Sequence, residues 1–161
     1  MKTNRIRITA LVIVLAIATL SCGTTSSDVE VISTAGADDQ ATSAAGTTYN
    51  VGDVIKVSNL TITLNSAQIV GGLVQANFTI ENLGTEIVNV GPLVNFEAKD
   101  ASGTKLELEI FDCPSGNMQS KIPAGDLLKG NICWKGLTTS TVRIYYTPNV
   151  FSGTIIVWDL E

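Results

Sequence analysis

The sequence predicts an all-β domain, an antiparallel sandwich of about seven to nine strands, preceded by a signal peptide and a disordered linker. Three features of the 161 residues support this prediction. The first 22 residues join a basic start to an apolar run, the next 26 are small and polar, and the last 113 alternate short apolar runs with turn residues. No segment sustains an apolar repeat of 3.6 residues, so we expect little helix.

Residues 1–21 have the organisation of a secretory signal peptide. Lys2, Arg5 and Arg7 precede a run of thirteen uncharged residues from Ile8 to Leu20. This run is too short to cross a hydrocarbon core as a helix, which takes about 20 residues. A basic start and a short apolar run that ends in small residues are typical of a signal removed on export.

Cys22 lies at the border of this signal, in the stretch ATLSCG. A small residue followed directly by cysteine resembles the lipobox of bacterial lipoproteins, although Thr19 stands where leucine is usual. The resemblance implies that the Cys22 thiol receives a diacylglycerol and becomes the new N-terminus, so that the protein is anchored to the extracytoplasmic face of the cell membrane. The alternative is an ordinary signal peptide that is cut nearby.

Removal of the signal takes away three positive charges and changes the formal net charge from −5 to −8. An acidic chain is not attracted to the phosphate backbone of nucleic acids or to anionic lipids. We therefore expect no nucleic-acid partner, and membrane attachment through the lipid rather than through charge.

Residues 22–48 are expected to form the lipidated cysteine and a flexible tether. Gly23 to Thr48 is rich in Ser, Thr, Ala and Gly and lacks Lys, Arg and aromatic residues. Such a composition buries too little apolar surface to offset the entropy of ordering. A short edge strand at DVEVI, residues 28–32, is the alternative that the pattern leaves open.

The strands of residues 49–161 are predicted from apolar–polar alternation and from the turns between them. DVIKVSNLTITLNSAQIV indicates two strands joined at Ser58-Asn59, and Gly71-Gly72 indicates a hairpin turn into LVQANFTIEN. Further strands are EIVNV, LVNFEAK, KLELEIF, VRIYY and GTIIVWDL. Many short strands of this kind suggest an immunoglobulin-like sandwich.

Side-chain directions follow from the same alternation. In KLELEIF we expect three apolar residues to face inward (Leu106, Leu108, Ile110) and three charged residues to face outward (Lys105, Glu107, Glu109). The large side chains expected to fill the core are Trp134, Trp158, Phe78, Phe96, Tyr145 and Tyr146.

Five segments from Tyr49 to Glu161 carry a family resemblance: YNVGDVIKV, VQANFTIENLGTEIVNV, NFEAKDASGTKLE, IPAGDLLKGNICW and VRIYYTPNVFSGTIIVWDL. In this order they resemble the telokin-like, immunoglobulin-fold domain of unknown function found in bacterial exported proteins and lipoproteins. The family has no established catalytic residues, so the resemblance implies fold and location rather than an activity.

The sequence offers little for catalysis. It contains no histidine, which removes the commonest general base and excludes Ser-His-Asp and Cys-His arrangements within the chain. Glu107 and Glu109 could serve glycoside hydrolysis, but we expect them to form a solvated face opposite Lys105. Asp100 in KDASG could donate to calcium, but the segment lacks the five or six spaced oxygens of an EF-hand loop. The prediction is therefore a non-enzyme with no catalytic, cofactor-binding or metal-binding residues.

Cys113 and Cys133 remain as a pair once Cys22 is lipidated. Exported proteins meet oxidising conditions, where an even pair is typical of a structural disulfide. Without CxxC spacing, two cysteines are a poor zinc site and an unusual redox pair. We expect a disulfide between Cys113 and Cys133 that stabilises the fold by about 3 kcal/mol.

These expectations together describe a lipid-anchored, extracytoplasmic module with a non-catalytic binding or structural role at the cell surface. Its expected partners are the membrane, through Cys22, and a cell-surface or envelope protein that no residue identifies. The alternative is an extracytoplasmic protein that binds a small molecule or a metal ion, for which Met118 and the two cysteines are the soft ligands.

Overall fold

The structure is a computed structural model that describes residues 29–33, 47–114, 118–151 and 153–161. The described residues form twelve strands and one helical turn: β1 Val29–Ser33, β2 Thr48–Tyr49, β3 Val54–Val57, β4 Leu60–Val70, β5 Leu73–Asn82, β6 Val88–Val90, α1 Pro92–Asn95, β7 Phe96–Asp100, β8 Glu107–Glu109, β9 Ser120–Ile122, β10 Leu127–Lys135, β11 Val142–Tyr146 and β12 Ile156–Leu160. Within these ranges no helix is long and apolar enough to cross a membrane. The predicted signal, Cys22 and most of the tether lie outside the described residues.

Two sheets pack face to face as a sandwich. The first has the strand order β1-β3-β4-β5-β10-β8, with every neighbouring pair antiparallel. The second has the order β2-β12-β11-β7, in which the short β2 runs parallel to β12. A third, two-stranded sheet pairs β6 with β9. The predicted all-β sandwich is confirmed, with more and shorter strands than the sequence indicated.

The first strand lies inside the segment predicted to be a flexible tether. Val29 pairs with Val57 and Val31 pairs with Ile55, antiparallel to β3. The edge strand that the sequence left as an alternative is therefore present, and the tether prediction is corrected for these five residues. Pairing with an exposed sheet edge supplies backbone hydrogen bonds that composition does not reveal.

The core lies between the two large sheets. Phe78 on β5 contacts Phe96 on β7 and Trp158 on β12, with ring centroids 4.9 and 5.7 Å apart. Phe96 continues the cluster to Tyr146 at 4.8 Å. With Trp134, these residues are five of the six predicted core side chains, and all five are buried. Aromatic contacts of this kind add to the stabilisation that comes from buried area alone.

Tyr145 is the predicted core residue that the structure places outside. Its neighbour Tyr146 points inward, and successive side chains of a strand point to opposite faces. Tyr145 instead lies under Lys99, whose Nζ is 4.8 Å from the ring centroid. Two adjacent residues of one strand cannot both fill the same core.

Two further strand predictions are corrected. LVNFEAK is interrupted, because Pro92 begins the helical turn α1, a position that proline favours. KLELEIF ends as a strand at Glu109, so Ile110 is 53% exposed and Glu109 is buried, the reverse of the predicted alternation.

Asn82, at the end of β5, holds one end of the sandwich together. Its buried Nδ2 donates to the carbonyl oxygens of Glu86, Ile122 and Pro123 at 2.7, 3.0 and 3.1 Å. Its Oδ1 accepts from the backbone N–H of Gly84 at 3.0 Å. One amide therefore joins the first sheet to the segments that enter β6 and leave β9. We call this the Asn82 end; it contains the turns at 58–59, 83–87 and 123–126.

The opposite end contains the Gly71-Gly72 turn, with φ of 60° and 80°, the positive values that such hairpins need. Gly72 lies against the carbonyl of Leu137, and the Thr138 hydroxyl donates to Asp100 at 3.2 Å. The turns at 71–72, 101–104 and 136–141 therefore cluster, and we call this the Gly71 end.

We predict that Asn82→Ala lowers the free energy of unfolding by about 3 kcal/mol, because three carbonyls lose their donor and the hydrogen bond to Ile122 among them is buried. Urea denaturation followed by the fluorescence of the buried Trp134 and Trp158 measures the change. Asn65→Ala is the matched control, since the Asn65 amide bonds Asn77 and Thr79 on the exposed face. Equal effects of the two substitutions would contradict the role of Asn82.

Candidate functional site

The two cysteines lie on adjacent parts of the first sheet. Cys113 follows β8 and Cys133 lies on β10, and the structure joins them in a disulfide with Cα atoms 5.5 Å apart. Both are buried. The bond fastens the chain after β8 to the strand beside it.

Neighbouring residues of β10 hold the same segment. The Asn131 side chain donates to the carbonyl of Pro114 at 2.8 Å, and its backbone carbonyl accepts from the Met118 N–H at 2.8 Å. A Cβ added to Gly130 would lie 2.9 Å from the Met118 Cβ, so only glycine lets the chain approach here. Further contacts between β10 and the segment after β8 therefore surround the disulfide, as expected of a disulfide with a structural role.

Reduction of this disulfide should lower the free energy of unfolding by about 3 kcal/mol, because the denatured chain gains loop entropy. The measurement is urea denaturation with and without a thiol reductant. A Cys113→Ala/Cys133→Ala double variant should have the same free energy of unfolding as the reduced protein, and the reductant should not change it. A wild-type midpoint that stays fixed while two thiols titrate would refute this role.

The carboxylates that the sequence singled out differ in their surroundings. Glu107 is exposed, whereas Glu109 is 5% exposed. The expectation of two solvated side chains was therefore wrong for Glu109. Lys105, predicted to face outward with them, forms an ion pair with Glu97 at 2.7 Å.

The Glu109 carboxylate is held by charge and by backbone donors. Its Oε2 lies 3.0 Å from Lys135 Nζ, and its Oε1 accepts from the N–H groups of Phe111 and Asp112 at 2.9 and 3.2 Å. The hydrogen bond from Lys135, followed by those two backbone bonds, lowers the pKa of Glu109 to about 2. A carboxylate held in this way closes the turn after β8 and stays ionised.

Glu109→Gln should remove a stabilising contribution that depends on pH. Because the folded pKa is about 2 and the ordinary value is 4.5, this contribution is complete above about pH 4.5 and is lost as the pH falls towards 2. The variant should therefore melt below the wild type at neutral pH, and the gap should close between these two pH values. Melting temperatures across that range measure it.

Glu107→Gln is the control for this substitution, since the exposed Glu107 lies 3.6 Å from Lys135 and exposed pairs contribute little. A constant gap between wild type and Glu109→Gln from pH 7 to pH 2 would contradict the assignment.

Asp100 is occupied in a similar way. Its Oδ1 accepts from the N–H groups of Ser102 and Thr104, each at 2.9 Å, and from the Ser102 hydroxyl at 2.6 Å. The Ser102 hydroxyl, with the other donors, lowers the pKa of Asp100. The KDASG turn thus uses its carboxylate to fix its own backbone. Among the described residues, no three His, Cys, Asp or Glu side chains are grouped closely enough to hold a metal ion.

An apolar groove of about 790 Å³ lies beside α1. Its lining comes from β6, α1, β9 and the segment after β11; apolar side chains include Ile87, Val88, Val94, Val150 and Phe151. Phe151 is 94% exposed and Val94 is 64% exposed. Clusters of exposed apolar side chains of this kind mark interaction surfaces.

A second groove of about 400 Å³ lies along α1 and β8, lined in part by Leu93, Leu106 and Leu108. Leu93 is 77% exposed, and its neighbour Val94 lines the first groove. We call the two grooves with their exposed side chains the α1 surface.

Hydrogen bonds fix the position of this surface. The Asn95 side chain donates to the Thr147 carbonyl at 2.9 Å, and the Thr147 N–H donates to the Asn95 carbonyl at 2.8 Å. These bonds join α1 to the end of β11, from which Val150 and Phe151 extend. This surface was not predicted from the sequence; the signals available were Pro92 directly before a predicted strand and a phenylalanine within the turn-rich stretch PNVFSG.

Known structures share this fold at low sequence identity. The yjhA protein from Bacillus subtilis is similar over 70% of this chain and 99% of its own, with a TM-score of 0.56 and 13% identity. A β-sandwich protein of uncharacterised function from Clostridium difficile 630 is similar over 74% of this chain and 98% of its own, with a TM-score of 0.50 and 16% identity.

A proposed lipoprotein from Bacillus subtilis, ycdA, is similar over 66% of this chain and 38% of its own, with a TM-score of 0.53 and 16% identity. No family model matches the sequence, and no curated protein matches it either. The comparisons therefore establish a β-sandwich fold, and the telokin-like assignment stays a prediction.

Proposed function

We propose that this protein is a lipid-anchored, extracytoplasmic β-sandwich module that binds a partner through the α1 surface and catalyses no reaction. The observation that carries the proposal is the α1 surface itself, where Leu93 and Phe151 leave most of their area in water. Exposure of large apolar side chains costs free energy unless a partner covers them.

The surroundings of the polar candidates support a non-catalytic role. The carboxylate oxygens of Glu109 and Asp100 accept hydrogen bonds from backbone N–H groups of the turns that they close. A carboxylate that acts as acid or base has to reach the substrate, with a pKa suited to proton transfer. A pKa near 2 suits Glu109 to an ion pair instead.

The metal-binding alternative gains no support from its soft ligands. Cys113 and Cys133 are bonded to each other, and Met118 is buried against Gly130. A small molecule would fit the volume of the larger groove, but Phe151 stands almost wholly in solvent and would cover little of it. A partner with an extended apolar surface fits the α1 surface better than a small molecule does.

We predict that the membrane-bound protein begins at Cys22 and carries a diacylglycerol there. Mass spectrometry of the N-terminal peptide measures both properties. Cys22→Ser should lose the lipid and retain the signal, whereas the Cys113→Ala/Cys133→Ala double variant should remain lipidated. Finding only unlipidated mature protein in the culture fluid would overturn the anchor.

A further inference from the structure

The α1 surface adjoins the Asn82 end of the sandwich. Val88 of β6 pairs with Ile122 of β9, and the Asn82 amide bonds to the Ile122 carbonyl. Ile87, next to Val88, is 61% exposed and lines the larger groove. The exposed side chains of the larger groove thus lie near the Asn82 end, whereas the smaller groove extends toward the Gly71 end, because Glu107 in its lining pairs with Lys135.

The first described strand begins at that same end. Val29 pairs with Val57, and Val57 leads directly into the turn at 58–59. The backbone N–H of Leu83 donates to the Asn59 carbonyl at 2.8 Å, which joins this turn to the loop after Asn82. The chain that arrives from Cys22 therefore enters the sandwich at the Asn82 end.

Covalent geometry limits how far this end can lie from the anchor. Seven peptide links separate Cys22 from Val29, and an extended chain spans at most about 3.6 Å per residue, or about 25 Å in all. A flexible tether of 26 residues would have allowed any part of the domain to face the bilayer. With the proposed lipid on Cys22, the strand β1 shortens the connection and limits the Asn82 end to about 25 Å from the anchor.

We propose that the larger groove of the α1 surface docks on the lipid bilayer, with Phe151 and Ile87 inserted at the interface. The proposal rests on the lipid anchor at Cys22 and names the bilayer as the partner of this groove. Lys121 is the one charged residue among those described along it, and the mature chain is acidic; the charged Lys105 and Glu107 line the smaller groove, outside the proposed contact. Apolar contact rather than charge therefore drives docking, and neutral lipids suffice.

The experiment places a reporter on the surface of the lipidated protein. Phe151→Trp and Ile87→Trp are made separately, and each protein is reconstituted into phosphatidylcholine vesicles with or without brominated acyl chains. The native Trp134 and Trp158 are 1% and 0% exposed, so the introduced tryptophan reports contact with lipid. Val70→Trp is the matched control, because Val70 is 64% exposed and lies beside the Gly71-Gly72 turn at the other end.

Brominated lipid should quench the tryptophan at 151 and at 87 and shift its emission to the blue, in low and in high salt. The control at 70 should keep its emission. No quenching at 151 or 87 in protein with a verified lipid on Cys22 overturns docking and leaves the anchor standing.

Finding Cys22 without lipid would overturn both the anchor and the orientation. This outcome differs from the previous one, in which Cys22 carries the lipid but no quenching occurs. A cross-link from residue 151 to an envelope protein in native membranes, without quenching by lipid, assigns the surface to a protein partner and also overturns the proposal. Unchanged urea midpoints show that each variant is folded.

Discussion

The buried amide of Asn82 is the interaction on which the arrangement of one whole end depends. Its side chain supplies donors to three carbonyls and an acceptor to one N–H, while its backbone N–H donates to Asp126. An aspartate at position 82 could not donate these hydrogen bonds, and a leucine could neither donate nor accept them. The position of the small β6–β9 sheet, and of the groove beside it, follows from a side chain that is both donor and acceptor.

Local pattern was enough to predict much of the fold. Apolar–polar alternation along β5 predicts its buried face, with Phe78 and Ile80 inward, and the paired glycines predict the turn at 71–72. Both signals come from residues that are neighbours in the sequence. The edge strand β1 was left open because its stability comes from β3, more than twenty residues later. The burial of Glu109 was missed because its main partner, Lys135, lies on another strand.

The candidate site was harder to predict for the same reason. The α1 surface combines Ile87, Leu93 and Phe151, which belong to separate connections. The bonds between Asn95 and Thr147 join the connections of Leu93 and Phe151, and pairing of β6 with β9 positions that of Ile87. Each is an isolated apolar residue in a loop, and single exposed apolar residues are common. Only their common location distinguishes them, and that location is a tertiary property.

The edge strand β1 also determines how a mechanical load enters the domain. In a lipid-anchored chain, any pull between cell and surroundings reaches the fold through Val29. The strand runs away from that point, antiparallel to β3, and ladder hydrogen bonds lie across the strand direction. With the proposed anchor, a force along β1 would load these bonds in shear and all together instead of opening them one by one, so the strand that shortens the connection would also distribute the tension.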